Sequence, residues 1–382
     1  MATDTAAKNN AEDQVDPDLL VVRSKSERRR LDRQKALPTW GESVEQTRAR
    51  RTRLVKQLAV QAGFSRVGIA AAQALPDHQT TLQAWIDRGM HGEMAWMASE
   101  VGRRCDPGQV VAGAQSVVLL ALDYDTGQPR TRDLDLQGQD RVWISRYAWG
   151  DDYHVVAERR LKRLEDAVTA ALKQELGDSF RGPAGPVRPF AAVRDFRWYV
   201  DHGPLLERVW AQRAGLGWQG RHSLLVDPRR GSYFFLAAVV TSVALDPDEP
   251  MADHCGSCRA CVDACPTGAI LADRLVDARK CISHATIEVD GPVTPEIRAL
   301  AGDHLFGCDL CQEACPFNRF SQPCGDPAFE PRPGLLAPTR PEVRAWAELG
   351  GDAHLAGSPL RRRGVDALAQ LASQDAAEPI AR

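Results

Sequence analysis

Long apolar runs are missing from this chain, and with them membrane-spanning helices: no stretch reaches the roughly 18 apolar residues a span requires. The longest run, Tyr233 to Ala244, is too short and is interrupted by Thr241 and Ser242, so it reads as a buried strand or strand pair. An export signal is missing too. Met1 to Pro17 is acidic and polar, and Arg23 to Lys35 is basic. Arg28-Arg29-Arg30 has the look of a twin-arginine signal, but Leu31-Asp32-Arg33-Gln34-Lys35 stands where its apolar stretch should follow. The segment reads as a disordered, solvated extension, with a nucleic-acid-touching arm as the alternative. A basic excess is lacking as well. The chain carries 48 Lys and Arg against 51 Asp and Glu, a net charge of −3. Charge alone therefore does not point to nucleic acid, although a local basic face is compatible with it. These absences predict a cytoplasmic protein without membrane contact. In a reducing compartment, closely spaced cysteines argue for metal rather than disulfides.

What is present is an α+β pattern. Residues 1–48 form the polar and basic extension. Residues 49–248 alternate helical and strand-like apolar spacing, as a mixed α/β domain does. Helices are expected over Thr52 to Ala62, Tyr153 to Leu172 and Leu205 to Ala214. Strands are expected over Ser65 to Ala70, Ser116 to Leu122, Val187 to Val193, Ser223 to Val226 and Tyr233 to Val243. The acidic, Pro-rich Asp246-Pro247-Asp248-Glu249-Pro250 opens a cysteine domain, residues 249–325. A Pro-rich segment and a short helical tail, from about Pro341 to Ala372, complete residues 326–382.

Nine of the ten cysteines fall between Cys255 and Cys324. Cys255, Cys258, Cys261 and Cys265-Pro266 reproduce the C-x₂-C-x₂-C-x₃-C-P run of bacterial ferredoxins, in which the fourth cysteine serves the other cluster. The second half, Cys308, Cys311 and Cys315-Pro316, is one cysteine short, and Cys281 stands between the halves to replace it. The simplest assignment crosses over. One [4Fe-4S] cluster takes Cys255, Cys258, Cys261 and Cys315, and the second takes Cys265, Cys281, Cys308 and Cys311. A pair of zinc sites would suit the CxxC pairs but not the run. Cys105 and Cys324 read as small apolar residues. An electron carrier has no use for so large an upstream domain, so an oxidoreductase is favoured over an electron-transfer module.

Two motifs in that domain mislead. Gly215, Gly217 and Gly220 match G-x-G-x-x-G, but a helix precedes them and a strand follows, the reverse of a dinucleotide site. They read instead as a turn closely approached by a flat ligand. Asp152 and His154 fall one glycine short of D-x-H-x-x-G, and Asp152 reads as the N-cap of the helix that follows.

Several segments together resemble the epoxyqueuosine reductase family: His91 to Met97, Ser145 to His154, Val200 to Arg208, Arg213 to Ser223, Gly231 to Leu236, Cys281-Ile282-Ser283, Thr286-Ile287-Glu288 and Gly357 to Arg362. The resemblance runs from about residue 50 to near the C-terminus. It implies reduction of epoxyqueuosine to queuosine at the tRNA wobble position, in tRNAs with a GUN anticodon. It also implies base-off cobalamin with no histidine on cobalt, held by residues 49–248 and fed by two [4Fe-4S] clusters. The electron donor is unidentified and a monomer is expected. The family's proton donor falls on Asp201, which Trp198, Tyr199 and a corrin face are expected to desolvate together, favouring its protonated form. His202 stands where many members have threonine. Cobalamin contacts carry over to Arg104, Ser145, Leu225 and Leu236, and Ser283 and Asp309 fall beside the second cluster. The C-terminal helical repeats of some members are not expected. A cobalamin-dependent reductive dehalogenase, usually exported, is the runner-up.

Overall fold

Apolar strands need cover on both faces, and this chain supplies it from two sets of helices around one sheet. The computed structural model describes residues 42–130, 133, 140–176, 196–271, 274–290 and 295–373. The strand expected over Val187 to Val193 lies outside them, as does the basic stretch Arg23 to Lys35. The strands are β1 (Arg66–Ala71), β2 (Ser116–Asp123), β3 (Trp143–Ile144), β4 (Phe196–Tyr199), β5 (Trp218–Gln219), β6 (Leu225–Val226), β7 (Phe234–Thr241) and β8 (His304–Phe306). Four of them pair in the order β1-β2-β7-β4, antiparallel throughout. Every residue of β2 is buried, which is why Ser116 to Leu122 reads as an unbroken apolar run. Leu119 pairs with Gly68 on one side and Ala238 on the other.

The helices used below are α1 (Val44–Gln61), α2 (Pro76–Asp87), α3 (Val101–Cys105), α4 (Tyr153–Leu176), α5 (Glu207–Arg213), α6 (Ala260–Asp263), α7 (Ile282–Ile287), α8 (Pro295–Ala301), α9 (Leu310–Glu313), α10 (Arg340–Ala345) and α11 (Val365–Ser373). On one sheet face, Ala59 of α1 and Leu161, Leu164 and Val168 of α4 pack against Val118, Leu120, Phe235 and Val239. On the other, Leu82 of α2, Cys105 of α3 and Trp210 of α5 pack against Val117, Leu119, Ala238 and Val240. Alternate residues of β2 and β7 thus serve opposite cores, as the period of a strand requires.

Two expectations need correction. The first helix begins at Val44, not Thr52, so residues 44–48 belong to it and not to an extension. The linker after β7 holds this turn: Arg48 Nε donates to Asp246 Oδ1 at 2.5 Å, and Asp246 N donates to Thr52 Oγ1 at 2.7 Å. The C-terminal tail is not one helical stretch but α10 and α11 joined by 3-10 turns. Val343, Trp346, Leu360, Leu368 and Leu371 share a third core with Trp143, Ile144 and Phe306. That core forms around β3 and β8, which pair in parallel and join the upstream segment to the cysteine segment.

Candidate active site and cysteine centre

None of the ten cysteines is paired in a disulfide. Cys105 is buried in the core beside α3, and Cys324 is half-buried. The other eight fall into two neighbourhoods. Burial pushes the Cys261 thiol up to about 11, with help from Cys315, Cys255 and Cys258. Burial raises Cys315 too, again with Cys255 and Cys258 as its thiol neighbours. The second neighbourhood gathers Cys265, Cys281, Cys308 and Cys311. Burial raises Cys281 with Cys265 beside it, and raises Cys308 with Cys281 and Cys265 beside it. Cys311 is raised by burial and then by Cys308 and Cys281, with Cys261 and Cys265 also near. Thiols crowded in this way resist ionising together unless a cationic centre compensates them. Among the described residues, no three His, Cys, Asp or Glu side chains gather tightly enough for a single metal ion. Cys258 is exposed, so the first neighbourhood reaches the surface.

Asp309, between Cys308 and Cys311, ties the second neighbourhood to β3. It is 1 % exposed, and it accepts from Ser145 Oγ, from Trp143 Nε1 at 3.1 Å and from Arg146 N at 2.7 Å. Burial raises its pKa, and these donors oppose the rise. Ser145, read as a corrin contact, thus gives its hydroxyl to Asp309. Ser283 sits half-buried in the first turn of α7, two residues after Cys281.

Asp201 lies just past β4 in a three-residue turn. His202 N donates to Val200 O at 2.6 Å, and Asp201 has φ +60. A non-glycine residue at the centre of such a turn is strained, and strain of this kind concentrates at functional sites. Gly203 is needed to complete the turn: a Cβ there would sit 2.3 Å from Tyr199 Cγ. Asp201 is exposed and the rings of Trp198 and Tyr199 are half-buried, so the protein's own side chains leave the carboxyl open on one side. Its partner is Tyr153, whose hydroxyl donates to Asp201 Oδ2 at 2.6 Å. Tyr153 stacks on Phe235 at 4.2 Å and on His154 at 4.1 Å. Burial, then the charge of Asp201, hold the Tyr153 hydroxyl well above the phenol range, so it remains a donor. Asp152 caps α4 as expected, accepting from His154 N at 3.0 Å and facing His154 Nδ1 at 2.9 Å. Burial works against the Asp152 carboxylate, but these contacts outweigh it and lower its pKa.

Arg104 is buried and acts as a brace. It donates to Trp96 O at 2.7 Å, Ser99 O at 3.2 Å and Gly203 O at 3.4 Å, joining the 96–104 segment to the Asp201 turn. Leu225 is buried in the α5-side core and Leu236 packs at its margin. Neither is joined by a described contact to Asp201. The glycine motif makes room for protein backbone rather than for a flat ligand. A Cβ on Gly217 would lie 2.4 Å from Val226 O, across the β5–β6 pair.

Glu207 was not singled out from the sequence beyond its place in Val200 to Arg208. Its Oε1 is buried without a hydrogen-bond partner among the described residues. Burial, then the charge of Asp201, push its pKa up to about 8. The neutral acid therefore suits the fold, and stability is expected to fall as pH rises from 4.5 towards about 8. Glu207→Gln should flatten that slope and gain about 1–3 kcal/mol at the alkaline end. Urea denaturation of both proteins across this range checks it, and parallel pH profiles would contradict it.

Known proteins agree with this arrangement. A family model described as "Epoxyqueuosine reductase QueG, DUF1730" matches residues 104–181, and one described as "4Fe-4S double cluster binding domain" matches residues 254–318. The epoxyqueuosine reductase of Pseudomonas aeruginosa is 38 % identical over 319 residues, covering 83 % of this chain and 82 % of its own length. The chain belongs to the epoxyqueuosine reductase family. The Escherichia coli member is 37 % identical over 310 residues, covering 81 % of this chain and 76 % of its own. Among solved structures, an epoxyqueuosine reductase with an epoxyqueuosine-modified tRNA-Tyr stem loop matches with a TM-score of 0.68 at 29 % identity, covering 83 % of this chain and 78 % of that one. The mixed helix-and-sheet fold and the double-cluster segment are therefore those of the family.

Proposed function

We propose that this protein reduces epoxyqueuosine to queuosine in tRNA, with Asp201 as proton donor and cobalamin as the reducing cofactor. The observation that carries the reading is the hydrogen bond from half-buried Tyr153 to the exposed Asp201 of a strained turn, within a chain of this family. The relative crystallised with a modified tRNA stem loop supports the substrate.

The residues present fit both cofactors. Eight thiols in two neighbourhoods of four suit two cubanes: Cys255, Cys258, Cys261 and Cys315 for one, and Cys265, Cys281, Cys308 and Cys311 for the other. A corrin needs an open, partly apolar surface at the reacting group, and Asp201 is exposed beside the half-buried ring of Tyr153. Arg104, Ser145, Leu225 and Leu236 would position it, with Ser283 and Asp309 on the cluster side. When bound, the clusters and corrin supply electrons that arrive singly and are spent as a pair.

The chain's own contribution is the proton. Loss of the epoxide oxygen consumes two electrons and two protons, and expelling it as an alkoxide in a dry pocket is costly. Asp201 protonates the leaving oxygen. Tyr153 orients the Asp201 carboxyl through its hydroxyl, and Arg104 fixes the turn through Gly203 O. Asp309 holds the cluster segment against β3 through Ser145 and Trp143. The direct test is anaerobic conversion of epoxyqueuosine-containing tRNA by purified protein loaded with cobalamin and both clusters. Absence of queuosine would reject the reading.

Binding of tRNA by a chain of net charge −3 should rest on local basic groups. Arg361 is exposed, whereas Arg362 is tied to Glu288 and Arg363 to Val289 O. Affinity is expected to fall steeply with salt as phosphate contacts release counterions. Removing residues 1–43 should weaken binding modestly and leave the chemical step intact. Filter binding across a salt series checks this, and salt-independent affinity would contradict it.

A further inference from the structure

The glycine motif that is no nucleotide site ends in a different place: against a cysteine. Trp218, the β5 residue inside Gly217-Trp218-Gln219-Gly220, is 0 % exposed, and its indole Nε1–H points to Cys255 Sγ at 3.3 Å. A buried indole N–H needs an acceptor, and water does not reach this one. The ring also meets Phe317 edge-on at 4.8 Å and His254 at 5.0 Å. Phe317 lies two residues after Cys315, so one side chain touches both cysteine loops of the first neighbourhood.

The surroundings hold that contact in place. Arg221 donates to Gly256 O at 2.7 Å, immediately after Cys255. Arg274 bridges Gln219 O and Asp253, reaching Asp253 Oδ2 at 2.6 Å. Asp253 Oδ1 in turn accepts from Cys255 N at 2.8 Å. Gly217 lets β5 press against β6, which fixes the indole direction. The hairpin of the sheet domain therefore clamps the first cysteine loop and aims one donor at one sulfur.

We propose that Trp218 sets the reduction potential of the cluster held by Cys255, Cys258, Cys261 and Cys315, through an N–H···S hydrogen bond to Cys255. The proposal rests on the ligand assignment above. Reduction of a cubane adds one electron, with no bond formed or broken in the protein. The added charge spreads onto the sulfurs, so a donor to a ligand sulfur stabilises the reduced form, and hydrogen bonding to sulfur is an established lever on such potentials. Cys258 is exposed, so this is also the cluster nearest to an external electron source. A higher potential there would favour capture of the incoming electron.

Trp218→Phe keeps a buried ring and deletes the N–H. The experiment is an anaerobic redox titration of the intact, cluster-loaded protein followed by electron paramagnetic resonance. The expected result is that one cluster becomes about tenfold harder to reduce, equivalent to about 59 mV for a one-electron couple, while the other is unchanged. Iron and sulfide content should match wild type. Two unchanged potentials in a variant with full iron would overturn the proposal. Should the variant lose its clusters, wild type carrying ¹⁵N-indole tryptophan decides instead. A nitrogen hyperfine coupling at one reduced cluster supports the hydrogen bond, and no coupling at either refutes it. Wild-type protein without two cubanes would instead refute the ligand assignment, and the proposal with it.

Discussion

Asp201→Asn is expected to keep both clusters, bind cobalamin and tRNA, and lose about 10²–10⁴ in the rate of epoxyqueuosine turnover, the usual worth of a positioned general acid. Asn matches Asp in size, and its carbonyl oxygen can still accept from the Tyr153 hydroxyl that now lies 2.6 Å from Asp201 Oδ2. The turn should also survive, because asparagine tolerates the positive φ that Asp201 adopts. What Asn cannot do is deliver a proton to the departing oxygen. Single-turnover conversion by matched proteins isolates that step, and reduction of the bound corrin by an artificial donor should be unaffected. Tyr153→Phe separates orientation from donation. It leaves the acid but removes its guide, and a net hydrogen bond of about 0.5–1.5 kcal/mol predicts a loss of roughly two- to tenfold. Near-wild-type turnover in Asp201→Asn would remove Asp201 from the mechanism and make Tyr153 itself the next candidate donor.

Cys265→Ser should remove about half of the eight irons expected for two cubanes, and the wrong half by sequence proximity. Cys265 closes the run that begins at Cys255. Its thiol neighbours in the fold, however, are Cys281, Cys308 and Cys311, while those of Cys261 are Cys315, Cys255 and Cys258. The substitution should therefore abolish the signal of the cluster on Cys281, Cys308 and Cys311. Cys315→Ser, in the second run, should abolish the other. The first neighbourhood reaches the surface at Cys258, whereas Asp309 anchors the second in the interior through Trp143, Ser145 and Arg146, so on the proposed function the second cluster is the later of the two electron steps. Cys265→Ser should thus stop turnover even where the exposed cluster still accepts electrons. Loss of the cluster on Cys255, Cys258 and Cys261 in the Cys265 variant would contradict the crossed assignment.

The cysteine segment was legible because its chemistry is written in local spacing. Three cysteines and a proline fit one short loop, and the second run, one cysteine short, has Cys281 in the gap before it. β2 and β7 were legible for a similar reason: a strand buried on both faces is an unbroken apolar run, as Ser116–Asp123 and Phe234–Thr241 are. Long-range contacts hid the rest. The start of α1 depends on Asp246, nearly two hundred residues away in the chain, so Val44 to Arg48 read as polar tail. The packing of the tail helices left no mark in the sequence because their partner, the β3–β8 pair, joins residues far apart in the chain. Asp201 came from the family resemblance. Its strained turn, its exposure and its Tyr153 partner leave no periodic trace in the sequence. Trp218 was present in a motif that pointed to the wrong ligand. The signal that distinguishes it is the order of elements around it, helix before and strand after, which sends the turn towards the cysteine loop.

The central claim, that this protein makes queuosine from epoxyqueuosine in tRNA, is tested most directly by nucleoside analysis of tRNA from cells lacking it. The account predicts that epoxyqueuosine accumulates and queuosine disappears, that the wild-type gene restores queuosine, and that the Asp201→Asn gene does not. Normal queuosine in tRNA from the deleted cells, with no accumulated epoxide, would contradict it.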